Sequence, residues 1–407
     1  MLKKIHSLMQ GRIPGQIIIQ YTDRCNARCP QCSMNVGNSF RRSKLDVDSV
    51  KKIIDHAVGN DVCALSITGG EPLLYFDEII ELLKYAKEAG IKYTRTGTNG
   101  FLFVHPEKQN WRSRIEKVAA GLADADIYSF WISIDSACPL THEKMRGLPG
   151  VIKGIESALP ILHGYNIYPT ANLGINRNIV DINNLSAYSS LTMYDVYRNA
   201  FRMFYQSVID LGFTIVNACY PMSVQLQDTL NAVYGATSDS HIVQFSRAEK
   251  VHVFRALFDV IAEYRSKIRI FSPRSSVYAL IKQHTEGEEF CYPCRGGQDF
   301  FFIDARDANT FPCGYRGNES FGKFWELDLS NIDHTFTCRR CDWECFRDPS
   351  ELFGPILAIF TQPFSFLKRI AKDKTYMKLW YKDLNYFSAC GFFNGRIPPD
   401  YKKLARF

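Results

Sequence analysis

No stretch of this 407-residue chain holds roughly 18 consecutive apolar residues, which excludes a bilayer-spanning helix. The amino end, Met1-Leu2-Lys3-Lys4-Ile5-His6, is basic but leads into no apolar segment. A secretory signal is therefore not expected, and a reducing, cytoplasmic setting is. Internal repeats and low-complexity tracts are absent, so neither a solenoid nor a disordered array is expected. The nine histidines are scattered without an HxxxH pair, leaving no helical two-histidine metal site. A net charge of +7 is too weak an excess over this length to mark a nucleic-acid binder. Hydrophobic residues at 46% against 22% charged are enough for a sizeable core and exclude wholesale disorder.

Cysteine is plentiful, with thirteen in the chain. In a reducing compartment clustered cysteines hold metal more often than they pair as disulfides. Cys25, Cys29 and Cys32 fall in one short loop, and Cys291, Cys294, Cys313, Cys338, Cys341, Cys345 and Cys390 follow residue 290. Cys63, Cys138 and Cys219 stand alone. Cys63 lies in an apolar strand and reads as core, and Cys138 lies in a strand-to-helix loop. Cys219 follows a sixth strand, where ordinary packing competes with a cavity-facing hydrogen-atom donor. Tyr220 and Met222 beside it are read as packing or pocket lining.

From residue 15 onward, β-branched runs alternate with amphipathic stretches. Strands are expected at Ile17–Ile19, Ala64–Ile67, Ile91–Thr96, Ile127–Ile134, Ile167–Gly174 and Phe213–Ala218. Helices are expected over Asp48–Val58, Phe76–Ala89 with a stop at Gly90, and Ala248–Ser266, before a short run Lys267–Phe271. Six βα units with polar residues at the strands' carboxyl ends predict an α/β fold, a partial (β/α)6 barrel of the TIM type. The boundaries follow the texture of the chain: an extension over 1–14, the barrel over 15–284, a cysteine-rich α+β domain over 285–350, and a tail over 351–407.

Cys25-x3-Cys29-x2-Cys32 offers three thiolates in one tight loop, enough for three corners of a cubane iron–sulfur cluster. With no fourth cysteine nearby, one iron would be open to a ligand. A three-cysteine zinc site is the competing reading, although zinc favours paired CxxC elements. CxxxCxxC after a first strand resembles the signature of the radical S-adenosylmethionine (radical SAM) superfamily. That resemblance implies a [4Fe–4S] cluster whose open iron chelates SAM and whose electron cleaves it to a 5′-deoxyadenosyl radical. Gly69-Gly70-Glu71-Pro72, ~37 residues on at the next strand end, resembles the family's GGE motif, implied to meet the amino group of SAM. Ser133 and Asp135 resemble the fourth-strand polar pair near the ribose and carboxylate of SAM, and Arg146-Gly147 follows as in many members of the family, which implies that all three residues lie near SAM. An ordinary cap and a surface arginine remain the plain alternatives. The chain departs from the family at Gln31, where an aromatic residue is usual, which puts adenine stacking there in doubt.

Cys291-x2-Cys294-x18-Cys313, with Phe311-Pro312-Cys313, resembles the opening of SPASM and twitch domains, which hold auxiliary [4Fe–4S] clusters. Cys338-x2-Cys341-x3-Cys345 supplies further thiolates. The resemblance implies one cluster on Cys294, Cys313, Cys338 and Cys341, with Cys291 or Cys345 as substitutes. A second cluster and a zinc ribbon stay open.

The reading is an enzyme that abstracts hydrogen from a small-molecule or peptide substrate, served by a reducing electron-donor protein, with the auxiliary cluster as electron acceptor or substrate ligand. Only 14 residues precede the first strand, too few for a winged-helix peptide clamp, which tilts the expectation toward a small molecule. A non-catalytic iron–sulfur or zinc scaffold is the alternative. Residues 351–407 carry ten Lys/Arg against four Asp/Glu among many aromatics, including Phe364, Phe366, Lys368, Arg369, Trp380 and Lys382. Packing on the barrel is expected, with peripheral contact to an anionic membrane as the second reading.

Overall fold

The computed structural model describes residues 2–32, 41–180, 191–221, 241–329, 331–332, 338–339 and 341–407, so Met222 lies outside the described residues. Seven strands alternate with helices: β1 (Gly15–Thr22), β2 (Val62–Gly69), β3 (Tyr93–Thr98), β4 (Ser129–Ser133), β5 (Thr170–Gly174), β6 (Ile215–Cys219) and β7 (Arg269–Ile270). The helices are α1 (Leu2–Met9), α2 (Val47–Gly59), α3 (Phe76–Ala89), α4 (Trp111–Asp124), α5 (Pro139–Arg146), α6 (Val151–Gly164), α7 (Met193–Leu211), α8 (Arg247–Tyr264) and α9 (Arg274–Thr285). After these come β8 (Phe300–Ile303), β9 (Thr310–Phe311), α10 (Glu344–Thr361), α11 (Pro363–Lys372), α12 (Lys374–Ala389) and α13 (Tyr401–Leu404).

Local chemistry sets these limits. The Asp46 carboxylate accepts from Ser49 N and starts α2, whose Val50, Ile53, Ile54 and Ala57 form the buried stripe. Gly90, at φ 114°, ends α3 in the left-handed region that glycine tolerates. Capping boxes at Thr192/Asp195 and Ser246/Glu249 start α7 and α8.

All strands join one sheet in the order β7-β6-β5-β4-β3-β2-β1-β8-β9. Every neighbouring pair is parallel except β8 with β9. The sheet is not closed, so the fold is the expected partial barrel. It exceeds six units because Arg269–Ile270, within the short run at 267–271, pairs with β6 as a seventh strand. On its other side β1 takes a strand from the cysteine-rich segment, with Ile17 opposite Phe301 and Ile19 opposite Ile303. Arg12 Nε bonds Asp299 Oδ1 at 2.8 Å beside this seam. α10 runs through residue 350, so tail and cysteine-rich segment share a helix.

Ile17, Ile19, Tyr21, Leu65, Ile67, Phe130, Ile132, Ala171, Leu173, Val216 and Ala218 belong to the main apolar core. The period of two sends their neighbours to the inner face. The register aligns those neighbours in layers: Ser66, Arg95 and Ser129, then Gly97, Trp131, Thr170 and Ile215, then Ser133, Asn172 and Asn217. The inner face is polar toward the strand ends at Ser133, Asn172 and Asn217, and apolar beside β1 and β8, where Ile18 lies opposite Phe302. Cys63 is only half buried, near the start of β2, and not the core residue expected, because the β1–β2 register shifts there, pairing Gly15 with Val62 and Gln16 with Ala64 and leaving Cys63 unpaired in the ladder.

The tail caps the amino-terminal ends of the central strands. Gly395 donates to Tyr128 O at 2.8 Å and accepts from Tyr168 N at 2.7 Å. Asp383 of α12 is buried against Arg265 at 2.5 Å, and the Tyr386 hydroxyl accepts from Ile270 N at 2.8 Å. α12 thus packs as expected, whereas α11 buries no residue. Among the described residues no helix is long and apolar enough to cross a membrane.

Candidate active site

The cysteine loop begins where β1 ends, at the carboxyl-terminal rim where barrel enzymes gather their chemistry. Cys29 is buried, and Cys25 and Cys32 are half buried. Ala27 N donates to Cys25 Sγ at 3.4 Å, and Asn99 Nδ2, just past β3, approaches the same sulfur at 3.7 Å. Asn99 Nδ2 also bonds Asn26 Oδ1 at 2.9 Å, and Arg28 N donates to Arg146 O at 3.1 Å. Burial pushes the Cys29 thiol up to about 12 against the opposing pull of Arg146, and burial raises Cys25 as well. Cys25 and Cys32 are both close enough to Cys29 for their charges to act on it. Such a set is poor at holding thiolates by itself and well suited to a polycationic group that needs them.

The Gly-Gly-Glu-Pro turn is lashed to this loop. Gly70 N donates to Thr22 O at 2.7 Å and Glu71 N to Arg24 O at 2.8 Å. A Cβ on Gly70 would sit 2.2 Å from Arg24 O, so the close approach requires glycine. Glu71 is fully buried, with Oε1 accepting from Leu73 N at 3.1 Å and Oε2 from Asn99 N at 2.6 Å. Burial lifts its pKa to about 7, although these hydrogen bonds pull it down. The carboxylate expected to meet an ammonium is engaged here by two backbone donors, one of them on the residue that reaches Cys25.

Ser133 ends β4 on the lumen side and is half buried. Asp135 and Arg146 are buried against each other, so Arg146 is not a surface arginine, with Nε 2.8 Å from Oδ2 and Nη2 bonding Oδ1 at 3.0 Å. Burial acts to lower the Arg146 pKa, but Asp135 and then Cys29 outweigh it and raise the pKa. Gln31 Nε2 donates to Asp135 Oδ2 at 3.3 Å, so the residue standing in the usual aromatic position joins this polar group. The Asp135 N–H donates to His142 Nδ1 at 3.0 Å, and Asn176 Nδ2 bonds Asp135 O at 3.2 Å.

The second cysteine group splits. Cys294 N donates to Cys338 O at 2.8 Å. Burial first, and then neighbouring thiols, raise the pKa of Cys294 to about 11 and of Cys313 to about 12. Cys341 is raised well above its ordinary value by burial and then by Cys313, Cys294 and Cys338. These four are mutual neighbours. Cys291 and Cys345, expected as substitutes, are elsewhere. Cys291 sits in a separate core with Ala279 and Tyr376, its sulfur 3.2 Å from Gln283 Oε1 and 2.5 Å from Arg347 Nη2. Cys345 lies on the first turn of α10, which turns it away from Cys341, and its sulfur is 3.5 Å from Glu344 Oε1. Among the described residues no three Cys, His, Asp or Glu side chains converge as the ligands of a single metal ion. A cubane takes each thiolate on a different iron and so spaces its ligands more widely than zinc does.

Sequence reasoning missed most of the lumen. Glu344 is bonded by both Cys219 and Cys345, and its Oε2 lies 3.3 Å from Tyr220 N. The Cys219 sulfur bonds Asn172 Oδ1 at 3.3 Å, and Asn217 Nδ2 bonds the same oxygen at 3.0 Å. Tyr220 and Ser276 hydrogen-bond Asp348 behind them. The Trp131 indole lies over Gly97, where a Cβ would be 2.2 Å from the ring. Arg95 Nε is buried without a partner, and among the described residues no ion pair to a carboxylate is found for this guanidinium; Cys345 and Tyr128 are near enough to act on it electrostatically. Only the inward alternation of β3 marks Arg95 in the sequence.

An open parallel barrel with a three-cysteine loop at its rim defines an iron–sulfur enzyme of the SAM-cleaving class. Residues 19–175 match the Radical SAM superfamily, so the chain carries a radical SAM domain and is an enzyme of the radical SAM type, with a [4Fe–4S] cluster and SAM as its cofactors. It is similar to the AdoMet-dependent heme synthase of Methanosarcina barkeri, 24% identical over 77% of this chain and 82% of that one. It is also similar to a probable GTP 3′,8-cyclase of Methanococcus maripaludis, 30% identical over 37% of this chain. The match spans 48% of that cyclase, about half its length. Among solved structures, Streptococcus suis SuiB bound to S-adenosylmethionine aligns with TM-score 0.50 at 16% identity, over 88% of this chain and 71% of that one. Native anSMEcpe with bound AdoMet aligns with TM-score 0.50 at 15% identity, over 92% and 96%. At these identities the two structures show a shared fold.

Proposed function

We propose that Cys25, Cys29 and Cys32 hold the SAM-cleaving cluster and that the lumen beneath it receives an anionic small-molecule or peptide substrate. When bound, the cluster supplies the electron that splits SAM into methionine and a hydrogen-abstracting 5′-deoxyadenosyl radical. The observation that carries the reading is the convergence of three buried or half-buried thiols with Asn99 and Arg146 at the strand rim. Arg146 offsets part of the negative charge that three thiolates bring. Glu71 fixes Asn99, and Gly69 and Gly70 keep backbone close enough to line the methionine end of SAM. Ser133, at the tip of β4, lies where the ribose would rest, and the Asp135–Arg146 pair stiffens the wall beside it.

Arg95 supports the substrate class. A guanidinium without a carboxylate partner among the described residues, in a lumen that also holds Asn172, Asn217 and Glu344, favours a carboxylate or phosphate group. Cys294, Cys313, Cys338 and Cys341 would hold one auxiliary cluster, acting as electron acceptor or substrate ligand, with a reducing protein as external donor. Residues 15–284 then form the catalytic barrel, 285–350 the auxiliary module and 351–407 a cap, with α10 bridging the last two.

The test is anaerobic turnover with SAM and dithionite, reading 5′-deoxyadenosine by mass spectrometry. The reading expects product from the native chain and none from Cys29→Ala. Product from Cys29→Ala at the native rate contradicts it.

A further inference from the structure

We propose that the end of α10 and α11 form a docking ridge for an anionic membrane surface. α11 buries no residue, although helices on both sides of it are anchored. Phe364 is 86% exposed and Leu367 60%, with Ile359 and Phe360 at 44% and 40% on the preceding turn. Four large apolar side chains exposed within nine residues form a cluster that isolated surface hydrophobics do not.

The ridge is held in place from its inner side. Arg369 Nη2 bonds Phe290 O at 2.5 Å, and its guanidinium lies 4.5 Å from the ring centres of both Tyr292 and Tyr376. Lys372 Nζ stands 4.7 Å from the Phe290 ring. On α10, Glu351 accepts from Tyr376 Oη at 2.9 Å and from Tyr292 N at 2.8 Å. With Arg369 turned inward, Phe364 and Leu367 are presented outward on a braced helix.

Charge selects the partner. From Leu352 to Lys372 the chain contains no Asp or Glu, while Lys368 and Lys372 are exposed on α11 and Lys374 and Lys378 follow on α12. Glu288 and Glu289 adjoin Phe290, which packs under the inner side of the helix. Apolar side chains beside lysines in an acid-free segment match a helix lying in the headgroup region of a negatively charged leaflet. A neutral protein groove would have no use for the lysines. The inference is independent of the cluster assignment.

Flotation of the full chain with phosphatidylcholine vesicles, with and without phosphatidylglycerol, tests it. Binding is expected only with phosphatidylglycerol and should weaken at high salt. The double variant Phe364→Ser/Leu367→Ser should lose about tenfold in vesicle affinity while keeping the native circular dichroism spectrum. Lys368→Glu, a second variant at an exposed lysine, should weaken the phosphatidylglycerol preference. Equal flotation of native chain and both variants overturns the proposal. So does equal binding to neutral vesicles, or a concentration-dependent dimer lost in Phe364→Ser with no vesicle binding, which would assign the ridge to a second copy of the chain.

Discussion

Arg146 and Asp135 form an ion pair inside the barrel rim, Nε to Oδ2 2.8 Å, with Gln31 as a further donor to the same oxygen. The pair joins the end of α5 to the exit of β4, and Arg146 O accepts from the cysteine loop. Removing one partner strands the other in a site closed to water. Arg146→Ala is expected to destabilise the metal-free protein by about 3 kcal/mol and to reduce iron retained after reconstitution. Chemical denaturation and iron analysis check both.

Cys313 and Cys345 should behave oppositely. Cys313→Ser is expected to lower the iron content by about four atoms per chain, and Cys345→Ser and Cys291→Ser to leave it unchanged. Equal losses from all three would break the separation of Cys294, Cys313, Cys338 and Cys341 from the other two.

His142 gives a pH dependence with a defined sign. Its Nδ1 accepts the Asp135 N–H, and burial, reinforced by Arg146, holds its pKa down to about 4. Between about 6.5 and 4 the unfolded chain takes a proton that the native chain refuses, so stability falls as pH falls through that window. The full loss is about 3 kcal/mol. In His142→Gln this slope should flatten, as read from denaturant midpoints of the metal-free protein at successive pH values.

Gly97→Ala places a methyl group against the Trp131 ring. Overpacking here should cost about 2 kcal/mol and shift the tryptophan emission. A variant with unchanged emission and stability would mean that the ring moves freely and does not define the lumen.

Arg95→Gln removes a buried lumen cation that has no ion-pair partner among the described residues. SAM cleavage without substrate should persist, while protection of that reaction by an anionic substrate should disappear. Loss of uncoupled cleavage would instead place Arg95 in SAM binding.

The barrel was legible because its signals are local. Alternating β-branched runs, the cap at Asp46 and the stop at Gly90 each act within a few residues, and the cysteine loop falls within eight positions. Three features depend on pairing across the chain and left no such trace. β8 joins β1 across nearly the whole barrel, and two-residue β7 becomes a strand only because β6 offers it an edge. Cys345 follows Cys341 with ligand-like spacing, yet on the helix starting at Glu344 it lies near Glu344 and Cys219. Spacing identifies which cysteines are near in sequence; the helix phase decides which of them face each other.

The central claim is that three thiols after β1 leave one iron free for SAM. Its most direct test is electron paramagnetic resonance of the reduced Cys313→Ser protein, which should retain only that cluster, before and after SAM is added. The account predicts a cubane signal that changes shape on SAM addition and is missing from Cys313→Ser/Cys29→Ala. A cubane signal indifferent to SAM, or one that survives the loss of Cys29, contradicts it.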